Sequence, residues 1–447
     1  MNPKNPDIMD KCLLLSELPL DGVLKATAAA KYPGQHCSFR AVAGTVPLIK
    51  NAYALLLGPA ICLYNAKLSM NMRSLTRDPR PNNLLFVNYS QDDIIFGFHD
   101  KVREAILQAE DDYHPEVLFL ITSCLQEIVG EDFDACVDKI RPLVNAKLLI
   151  VHTENFTCEG AAPGVENMFK SLFLLMAAQP KKEKTVNILG LWTSTARKTE
   201  LAELLRKKGV VIENVIPSYC SPSDLEKAPA VQCNLVLDQY GLPLAKMMKE
   251  KFGTDYLYCR KPYCPDSIEK WYQEIAEAID IDLSAEIEVL KRETEEMMIQ
   301  ARQSLSGKSC AVSGISGRIF DLAMLLFFLG IESKVIMLQT PLPEDQPDIQ
   351  KLISSGVDPL VFRGDNSLKN EQLLKELSPD MFLGAFDRKS LSKMAIVPIV
   401  LSTSYYKLGF ESTKEVLRLL QEMPAGLVAL MYKEKTLKET IIAEGEC

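Results

Sequence analysis

Short runs of apolar residues alternate with amphipathic segments along most of the chain. Runs rich in Val, Ile and Leu predict buried strands at 117–122, 146–152, 185–191, 210–215, 310–313 and 333–338. Segments whose apolar residues recur every three or four positions predict helices at 133–140, 196–208 and 318–329. Strands and helices that alternate in this way build βαβ units, whose parallel sheets are buried on both faces. The pattern therefore predicts an α/β fold.

The alternation falls into three blocks, which predict three domains. The first covers residues 1–180 and ends at a charged segment, 180–184, that we expect to be exposed. The second covers 185–282, and the third covers 285–447 and begins with a long charged helix. Ligands bind to parallel sheets at the carboxyl ends of the strands, so the loops that follow the strands are where a site is expected.

Composition and charge narrow the class of protein. Apolar residues make up 47% of the 447 residues and charged residues 24%, which is typical of globular domains with large cores. The net charge of −9 and the lack of long basic runs argue against nucleic acid and anionic membranes as partners. The longest apolar stretch, around 322–331, is too short to cross a bilayer. Acidic residues near the N-terminus argue against a secretory signal, so we expect a cytoplasmic protein.

Twelve cysteines are many for a protein of a reducing compartment, where structural disulfides do not form. Three of them lie beside turns or strand ends in the first domain. Cys37 follows a Pro-Gly turn, Cys62 follows a Gly-Pro pair, and Cys124 follows the predicted strand at 117–122. Only four histidines and no C-x-x-C pair are present, which argues against zinc. Iron–sulfur clusters accept widely spaced thiolates, so a cluster stands beside ordinary packed thiols as an open alternative.

The three cysteines and their neighbours resemble the larger component of nitrogenase and of nitrogenase-like reductases. Cys37 precedes Cys62 by 25 residues, and Cys62 ends a G-P-x-x-C loop, as in that family. Cys124 follows 62 residues later, in SCLQEIVGED, which is similar to the family pattern C-x-x-E-x-I-G-D-D. Further similar segments are SQDDIIFG at 90–97, the pair His152-Thr153, GVENMF at 164–169 and the late segment 378–411.

This resemblance implies three Rossmann-like domains and a cofactor. Cys37, Cys62 and Cys124 would bind an iron–sulfur cluster at an interface between two homologous subunits. The cluster would be a [4Fe–4S] cube with a fourth ligand from the partner, or a larger P-cluster-like [8Fe–7S] cluster that takes three thiolates from each side. Cys158 lies in a loop that faces the cluster in this family, where it is either a fourth ligand or a packed thiol.

The chain also departs from the family subunit that holds the large catalytic cofactor. Asp238 stands where that subunit has a cysteine, and all four histidines precede residue 160, so the late histidine is missing. The chain is therefore most similar in pattern to the beta-type subunit, although Asn155 replaces a serine that can ligate the interface cluster. Cys259 and Cys264 flank basic residues, which predicts lowered thiol pKa values, with packed thiols as the alternative.

The leading hypothesis is an iron–sulfur subunit of a nitrogenase-like oxidoreductase. It would receive electrons from an ATP-dependent iron–sulfur reductase protein and relay them through the interface cluster to a cofactor or substrate. The catalytic cofactor would lie in the homologous partner subunit of a heterodimer or heterotetramer. The alternatives are a cofactor-maturation scaffold, a tetrapyrrole reductase-type catalytic component and a cluster-free Rossmann-type binding protein. The chain has no P-loop motif, so the nucleotide chemistry would belong to another protein.

Overall fold

The computed structural model describes residues 8–19, 24, 37–74, 83–130, 132–153, 163–193, 195–314, 317–338, 341–364, 367–384, 386–401 and 403–422. In chain order the strands are β1 (Leu13–Leu14), β2 (Ala52–Gly58), β3 (Leu84–Asn88), β4 (Val117–Thr122), β5 (Lys147–Val151), β6 (Lys182–Leu191), β7 (Val211–Pro217), β8 (Val231–Val236), β9 (Asp255–Tyr258), β10 (Ser309–Ser313), β11 (Glu332–Leu338), β12 (Leu360–Arg363), β13 (Met381–Leu383) and β14 (Val397–Ile399). The α-helices are α1 (Ser38–Ala43), α2 (Ala60–Ser74), α3 (Gln91–Phe96), α4 (His99–Tyr113), α5 (Cys124–Val129), α6 (Phe133–Ile140), α7 (Pro163–Leu172), α8 (Glu200–Lys207), α9 (Pro222–Lys227), α10 (Leu242–Phe252), α11 (Pro265–Ala278), α12 (Ser284–Leu305), α13 (Ile319–Phe328), α14 (Gln346–Ser354), α15 (Ser367–Leu377) and α16 (Arg388–Lys393), and a further helix covers 410–422.

The strands form three sheets, which confirms the α/β fold with parallel sheets. The first sheet has the order β3-β2-β4-β5 and the second has the order β7-β6-β8-β9, and all pairs in both are parallel. The third sheet has the order β1-β12-β11-β10-β13-β14, in which β1 is antiparallel to β12. In the described part of the chain no helix is both long and apolar enough to span a membrane.

The chain divides into two compact units. One comprises residues 36–260 and 275–282 and holds the first and second sheets. The other holds the third sheet and comprises the described residues of 1–35, 261–274 and 283–447. The predicted domain boundaries at 180 and 285 stay predictions.

Most predicted elements begin or end within a few residues of those observed. Strand β4 and helix α6 have the predicted bounds, and the charged segment 180–184 is exposed as expected, although its last residues already belong to β6. The helix predicted at 196–208 is instead a 3-10 turn followed by α8. The break occurs at Thr199, whose backbone is extended and whose side chain accepts a hydrogen bond from the Ala202 amide. Thr199 therefore caps a new helix rather than continuing an old one.

One apolar core joins the first and second sheets within their unit. All six residues of β4 are buried, as expected for a parallel strand with both faces covered. Leu56 and Phe119 of the first sheet share a hydrophobic cluster with Leu189 and Val236 of the second, and Met168 of α7 belongs to the same cluster. The first sheet is thereby held in a fixed position against the second, which gives its strand ends a rigid support.

Three buried asparagines form a row across the second sheet. Asn187, Asn214 and Asn234 are paired on β6, β7 and β8. The Asn214 Nδ2 donates to the Asn187 Oδ1 at 3.0 Å, and the Asn187 Nδ2 donates to the Asn234 Oδ1 at 2.8 Å and to the Ala228 carbonyl at 2.8 Å. Because a buried amide must be hydrogen-bonded, this row favours one register of the three strands over all others.

The third sheet is doubly wound around its central strand β10. The chain first forms β11 and β12 on one side of β10 and then forms β13 and β14 on the other side. At one edge, β1 adds two antiparallel residues to β12. The Ser16 amide and hydroxyl then donate to the Asp358 carboxylate at 2.8 and 2.7 Å. A long-range strand thus covers the edge of this sheet, which would otherwise expose unpaired backbone groups.

Candidate functional site

Two of the three candidate cysteines lie at the point where the first sheet reverses its direction of winding. From β2 the chain passes through α2 to β3 on one side, and it later places β4 on the other side of β2. The loops after β2 and β4 therefore diverge and leave a crevice between them, which is where parallel sheets bind ligands. Cys62 lies in the first turn of α2, and Cys124 is the first residue of α5.

Each of the three cysteines lies at the N-terminal end of a helix. Cys37 is the N-cap residue of α1, Cys62 is the third residue of α2 and Cys124 the first of α5. Helix N-termini carry partial positive charge and unpaired amide groups, which stabilise anions such as thiolates. The three cysteines thus lie at the starts of three separate helices in one unit.

The loops of Cys62 and Cys124 contact each other through Gly58 and Ser123. A Cβ atom on Gly58 would lie 2.8 Å from the Ser123 Oγ and 3.9 Å from the Cys62 Cβ, so glycine is required here by space. The Ser123 amide also donates to the Leu57 carbonyl at 3.1 Å. The end of β2 and the residue before Cys124 are therefore in direct contact.

A polar network continues from Ser123 into the interior. The Ser123 hydroxyl donates to the Gln126 Oε1 at 2.8 Å, and the Gln126 Nε2 donates to the Tyr89 hydroxyl at 2.9 Å and to the Leu57 carbonyl at 3.3 Å. Sequence reasoning assigned no role to Gln126 or Tyr89. The only indication in the sequence was a polar residue, two positions after Cys124, in a segment that otherwise reads as the buried start of a helix.

Cys37 is anchored to the same sheet edge through the next residue. Ser38 is fully buried, and its hydroxyl accepts a hydrogen bond from the Gly164 amide at 3.4 Å. A Cβ on Gly164 would lie 2.8 Å from the Ser38 Cβ and 3.1 Å from the Thr153 Cα, so α1, α7 and the end of β5 approach closely. The Thr153 hydroxyl donates in turn to the Thr122 carbonyl at the end of β4.

The three thiols are close enough to influence one another's ionisation. Burial, together with the neighbouring thiols of Cys124 and Cys37, raises the pKa of Cys62 to about 11. Burial and Cys37 also raise the pKa of Cys124, which its own backbone amide partly opposes. The raised pKa values favour the protonated thiols of Cys62 and Cys124, and a bound metal ion would displace those protons.

Among the described residues, no three side chains of His, Cys, Asp or Glu converge closely enough to hold one metal ion. The ligands of an iron–sulfur cluster bind different irons, so their thiols stand around a larger volume and need not converge. The three cysteines are each partly buried, and each lies at the start of a different helix.

Exposed apolar side chains lie on the helices that follow β2, β3 and β4, and we call them the apolar patch. They lie on α2, α3 and α5, which follow β2, β3 and β4, and 62 to 83% of each is exposed: Ile61, Tyr64, Ile95, Phe96 and Ile128. Large apolar side chains grouped at such exposure are typical of surfaces that a protein partner covers.

Other predicted residues have different outcomes. Cys158 and Asn155 lie outside the described residues. Asp238 is nearly buried, and its carboxylate accepts a hydrogen bond from the Tyr240 amide at 3.1 Å, so it caps a turn after β8. Cys259 and Cys264 are buried. The predicted lowering of the Cys264 pKa was wrong, because burial raises that pKa and the Sγ donates to the Asp321 carbonyl at 3.3 Å.

The basic segment before Cys264 contains a buried lysine. Lys261 is 2% exposed, its Nζ donates to the Ser404 carbonyl, and the same atom lies 4.9 Å from the centre of the Tyr263 ring. Burial, together with the nearby charge of Arg318, holds the pKa of Lys261 well below its usual value. The basic character that the sequence shows here is therefore reduced by the fold.

The model of the nitrogenase component 1 type oxidoreductase family matches residues 37–423. The chain belongs to this family. The match begins at Cys37 and includes all three cysteines of the site.

Individual members of the nitrogenase component 1 family are similar at low identity. The nitrogenase iron-molybdenum cofactor biosynthesis protein NifE of Methanococcus maripaludis is 24% identical over 365 residues, which cover 78% of this chain and 74% of that protein. The nitrogenase molybdenum-iron protein alpha chain of Methanothermobacter marburgensis is 22% identical over 450 residues, with 91% of each chain covered. Because these relatives are NifE and alpha chains, the predicted similarity to the beta-type subunit stays a prediction.

A solved structure shows the same fold. The structure titled "Nitrogenase Cp1 at pH 6.5" superposes with a TM-score of 0.77 at 18% identity, and the match covers 93% of this chain and 97% of that one. The nitrogenase component 1 architecture therefore extends over nearly the whole length, including the third sheet.

Proposed function

We propose that this chain is an iron–sulfur subunit of a nitrogenase-like complex. Cys37, Cys62 and Cys124 would bind a [4Fe–4S] or larger P-cluster-like cluster at an interface with a homologous component 1 subunit. An ATP-dependent iron–sulfur reductase protein would supply electrons singly, and the substrate or catalytic cofactor would lie beyond the cluster, in the partner. When bound, the cluster supplies one-electron storage and transfer.

The observation that carries this proposal is the placement of three cysteines at the starts of three helices of one unit, two of them directly after β2 and β4. They come from segments separated by 25 and 62 residues, yet the ionisation of Cys62 depends on both of the others. The helix N-termini favour the thiolate forms that iron requires. Ordinary packed thiols, such as the fully buried Cys310, lack such neighbours.

The partner subunit is supported by the apolar patch. Phe96 is 83% exposed and Ile95 is 71% exposed, although both lie beside a crevice formed by buried strand ends. Leaving such side chains in water is unfavourable, and a second subunit that contacts them would also close the site from solvent. Three thiolates leave at least one iron of a cube without a protein ligand from this chain. The second subunit that contacts the patch can supply that ligand.

A cofactor-maturation scaffold is a second candidate, because a relative with that function in its name matches over most of its length. Such a scaffold would hold the same cluster and partner but release a cofactor precursor. Repeated turnover of a small substrate supports the reductase, whereas transfer of a metal cofactor to an apo-partner supports the scaffold.

The decisive experiment measures iron in a ligand variant and a matched control. The chain is expressed anaerobically with its candidate partner subunits, and iron, acid-labile sulfide and the EPR spectrum are measured. Cys124→Ala is compared with Cys136→Ala. The second variant removes another partly buried thiol, on the neighbouring helix α6. We expect the first variant to lose the cluster and the second to retain it.

The iron content of the wild-type complex then distinguishes the cluster types. About four irons per dimer indicate one shared cube, and about eight or more indicate a larger cluster. A folded Cys124→Ala protein with wild-type iron content would contradict the ligand assignment. A wild-type complex without iron would reject the proposed function and return the chain to a cluster-free binding protein.

A further inference from the structure

One buried amide connects the three loops that surround the crevice of the first sheet. Gln126 is 5% exposed and lies two residues after Cys124 on α5. Its Oε1 accepts from the Ser123 hydroxyl at 2.8 Å. Its Nε2 donates to the Tyr89 hydroxyl at 2.9 Å and to the Leu57 carbonyl at 3.3 Å. Both ends of the amide are therefore bonded, each to a different loop or strand.

The partners of Gln126 lie in different segments of the first sheet. Leu57 is the next-to-last residue of β2, which leads into the loop of Cys62, and its carbonyl accepts from the Ser123 amide as well. Tyr89 follows β3, its amide donates to the Gly58 carbonyl at 3.1 Å, and its ring stacks on Phe98 at 4.6 Å. Gln126 thus joins the loop of Cys62, the loop of Cys124 and the segment that precedes α3.

The chemistry of the residue indicates why an amide is used. A buried amide is unfavourable unless its donor and acceptor atoms are bonded, so the network forms in only one arrangement of its members. Apolar contacts tolerate shifts of the loops, whereas hydrogen bonds with fixed directions do not. The amide itself is not a ligand, because its polar atoms are already bonded to protein groups.

Resting on the proposed function, we propose that Gln126 is a positioning residue that sets the spacing of the Cys62 and Cys124 thiols. Through Leu57 it fixes the end of β2, which carries the Cys62 loop, and through Ser123 it fixes the start of α5. Replacing Gln126 by leucine keeps the size of the side chain but removes three hydrogen bonds, with the Ser123 hydroxyl, the Tyr89 hydroxyl and the Leu57 carbonyl. The two loops then separate or rotate, and one cluster no longer fits both thiols well.

The first measurement uses the metal-free protein and does not depend on any cluster. Dibromobimane joins two thiols only when they are close together, and peptide mapping identifies the pair that it joins. In the wild type we expect a cross-link between Cys62 and Cys124. In Gln126→Leu we expect the yield of that cross-link to fall at least severalfold. In the matched surface variant Gln108→Leu we expect the melting temperature to stay at the wild-type value.

The second measurement uses the loaded complex. We expect Gln126→Leu to lose part of its iron or to shift the EPR spectrum and midpoint potential of what remains. Tyr89→Phe keeps the ring stack on Phe98 and removes only one hydrogen bond of the network, so it should change the same quantities less. A large change in Gln126→Leu and a smaller change in Tyr89→Phe would distinguish a positioning role of Gln126 from a general loss of folding.

The outcomes distinguish this proposal from the proposed function. A folded Gln126→Leu protein with wild-type cross-linking, iron content and potential would overturn the positioning role while leaving the ligand assignment intact. An absent Cys62–Cys124 cross-link in the wild type would also overturn it. A wild-type complex without iron would reject the proposed function, and the cross-link in the metal-free protein would still decide the role of Gln126.

Discussion

The asparagine row of the second sheet gives a stability prediction whose size can be worked from its hydrogen bonds. Substituting Asn187→Leu keeps a similar volume but removes the central member. The Asn214 amide, the Asn234 side-chain carbonyl and the Ala228 carbonyl each lose a partner, and both asparagines are at most 5% exposed. Each group left unbonded in the interior costs about 1–2 kcal/mol. We expect the free energy of unfolding to fall by about 3–6 kcal/mol, a large share of the total for most domains.

Trp192 provides the assay. It follows β6 directly and its ring packs edge-on against Phe169 at 5.9 Å, so its fluorescence reports on the end of the strand that carries Asn187. The chain has two tryptophans, and a Trp271→Phe background leaves Trp192 as the only one. Urea unfolding of this background is then measured with and without Asn187→Leu.

The matched control substitutes the end of the row. Asn214→Leu removes one hydrogen bond and leaves one acceptor, the Asn187 Oδ1, without its donor. We expect it to lower the free energy of unfolding by about 1–2 kcal/mol. The reasoning would be refuted if Asn187→Leu unfolded at the same urea concentration as Asn214→Leu, because the central residue would then contribute no more than the terminal one.

Two further substitutions test the packing around Gly58 and the effect of burial on the ionisation of Lys261. Gly58→Ala places a Cβ 2.8 Å from the Ser123 Oγ, so we expect a loss of about 1–3 kcal/mol by thermal unfolding, and little loss for Gly314→Ala, whose nearest neighbour is at 3.5 Å. The Lys261 pKa is lowered by burial and Arg318, so the unfolded chain binds a proton that the folded chain lacks, and stability rises with pH up to about 10.5. Lys261→Met should flatten this rise; an unchanged slope would contradict it.

The sequence allowed the α/β fold to be predicted because its strands are buried on both faces. Strand β4 has six consecutive buried residues, and such a run leaves little ambiguity about its bounds. The break at Thr199 was missed because the apolar pattern of residues 196–208 is continuous in helical spacing. The Thr199 side chain caps the start of a new helix, and hydrophobic periodicity does not report caps.

The candidate site was only partly accessible from the sequence. Cys37, Cys62 and Cys124 were found from spacing and from flanking motifs. Gln126 was not, because its partners lie 37 and 69 residues away and are a tyrosine hydroxyl and a backbone carbonyl. The raised pKa of Cys264 was missed for a similar reason, since nearby basic residues suggested activation while the fold removes the thiol from water.

The pairing of β1 with β12 imposes an order on folding during synthesis. The contact between Ser16 and Asp358 joins residues 342 positions apart, whereas all eight strands of the first and second sheets lie between residues 52 and 258. Domains fold as units while the ribosome is still adding residues. The unit that carries the cysteines can therefore complete its sheets first, while β1 waits for its partner strand until translation has passed residue 360.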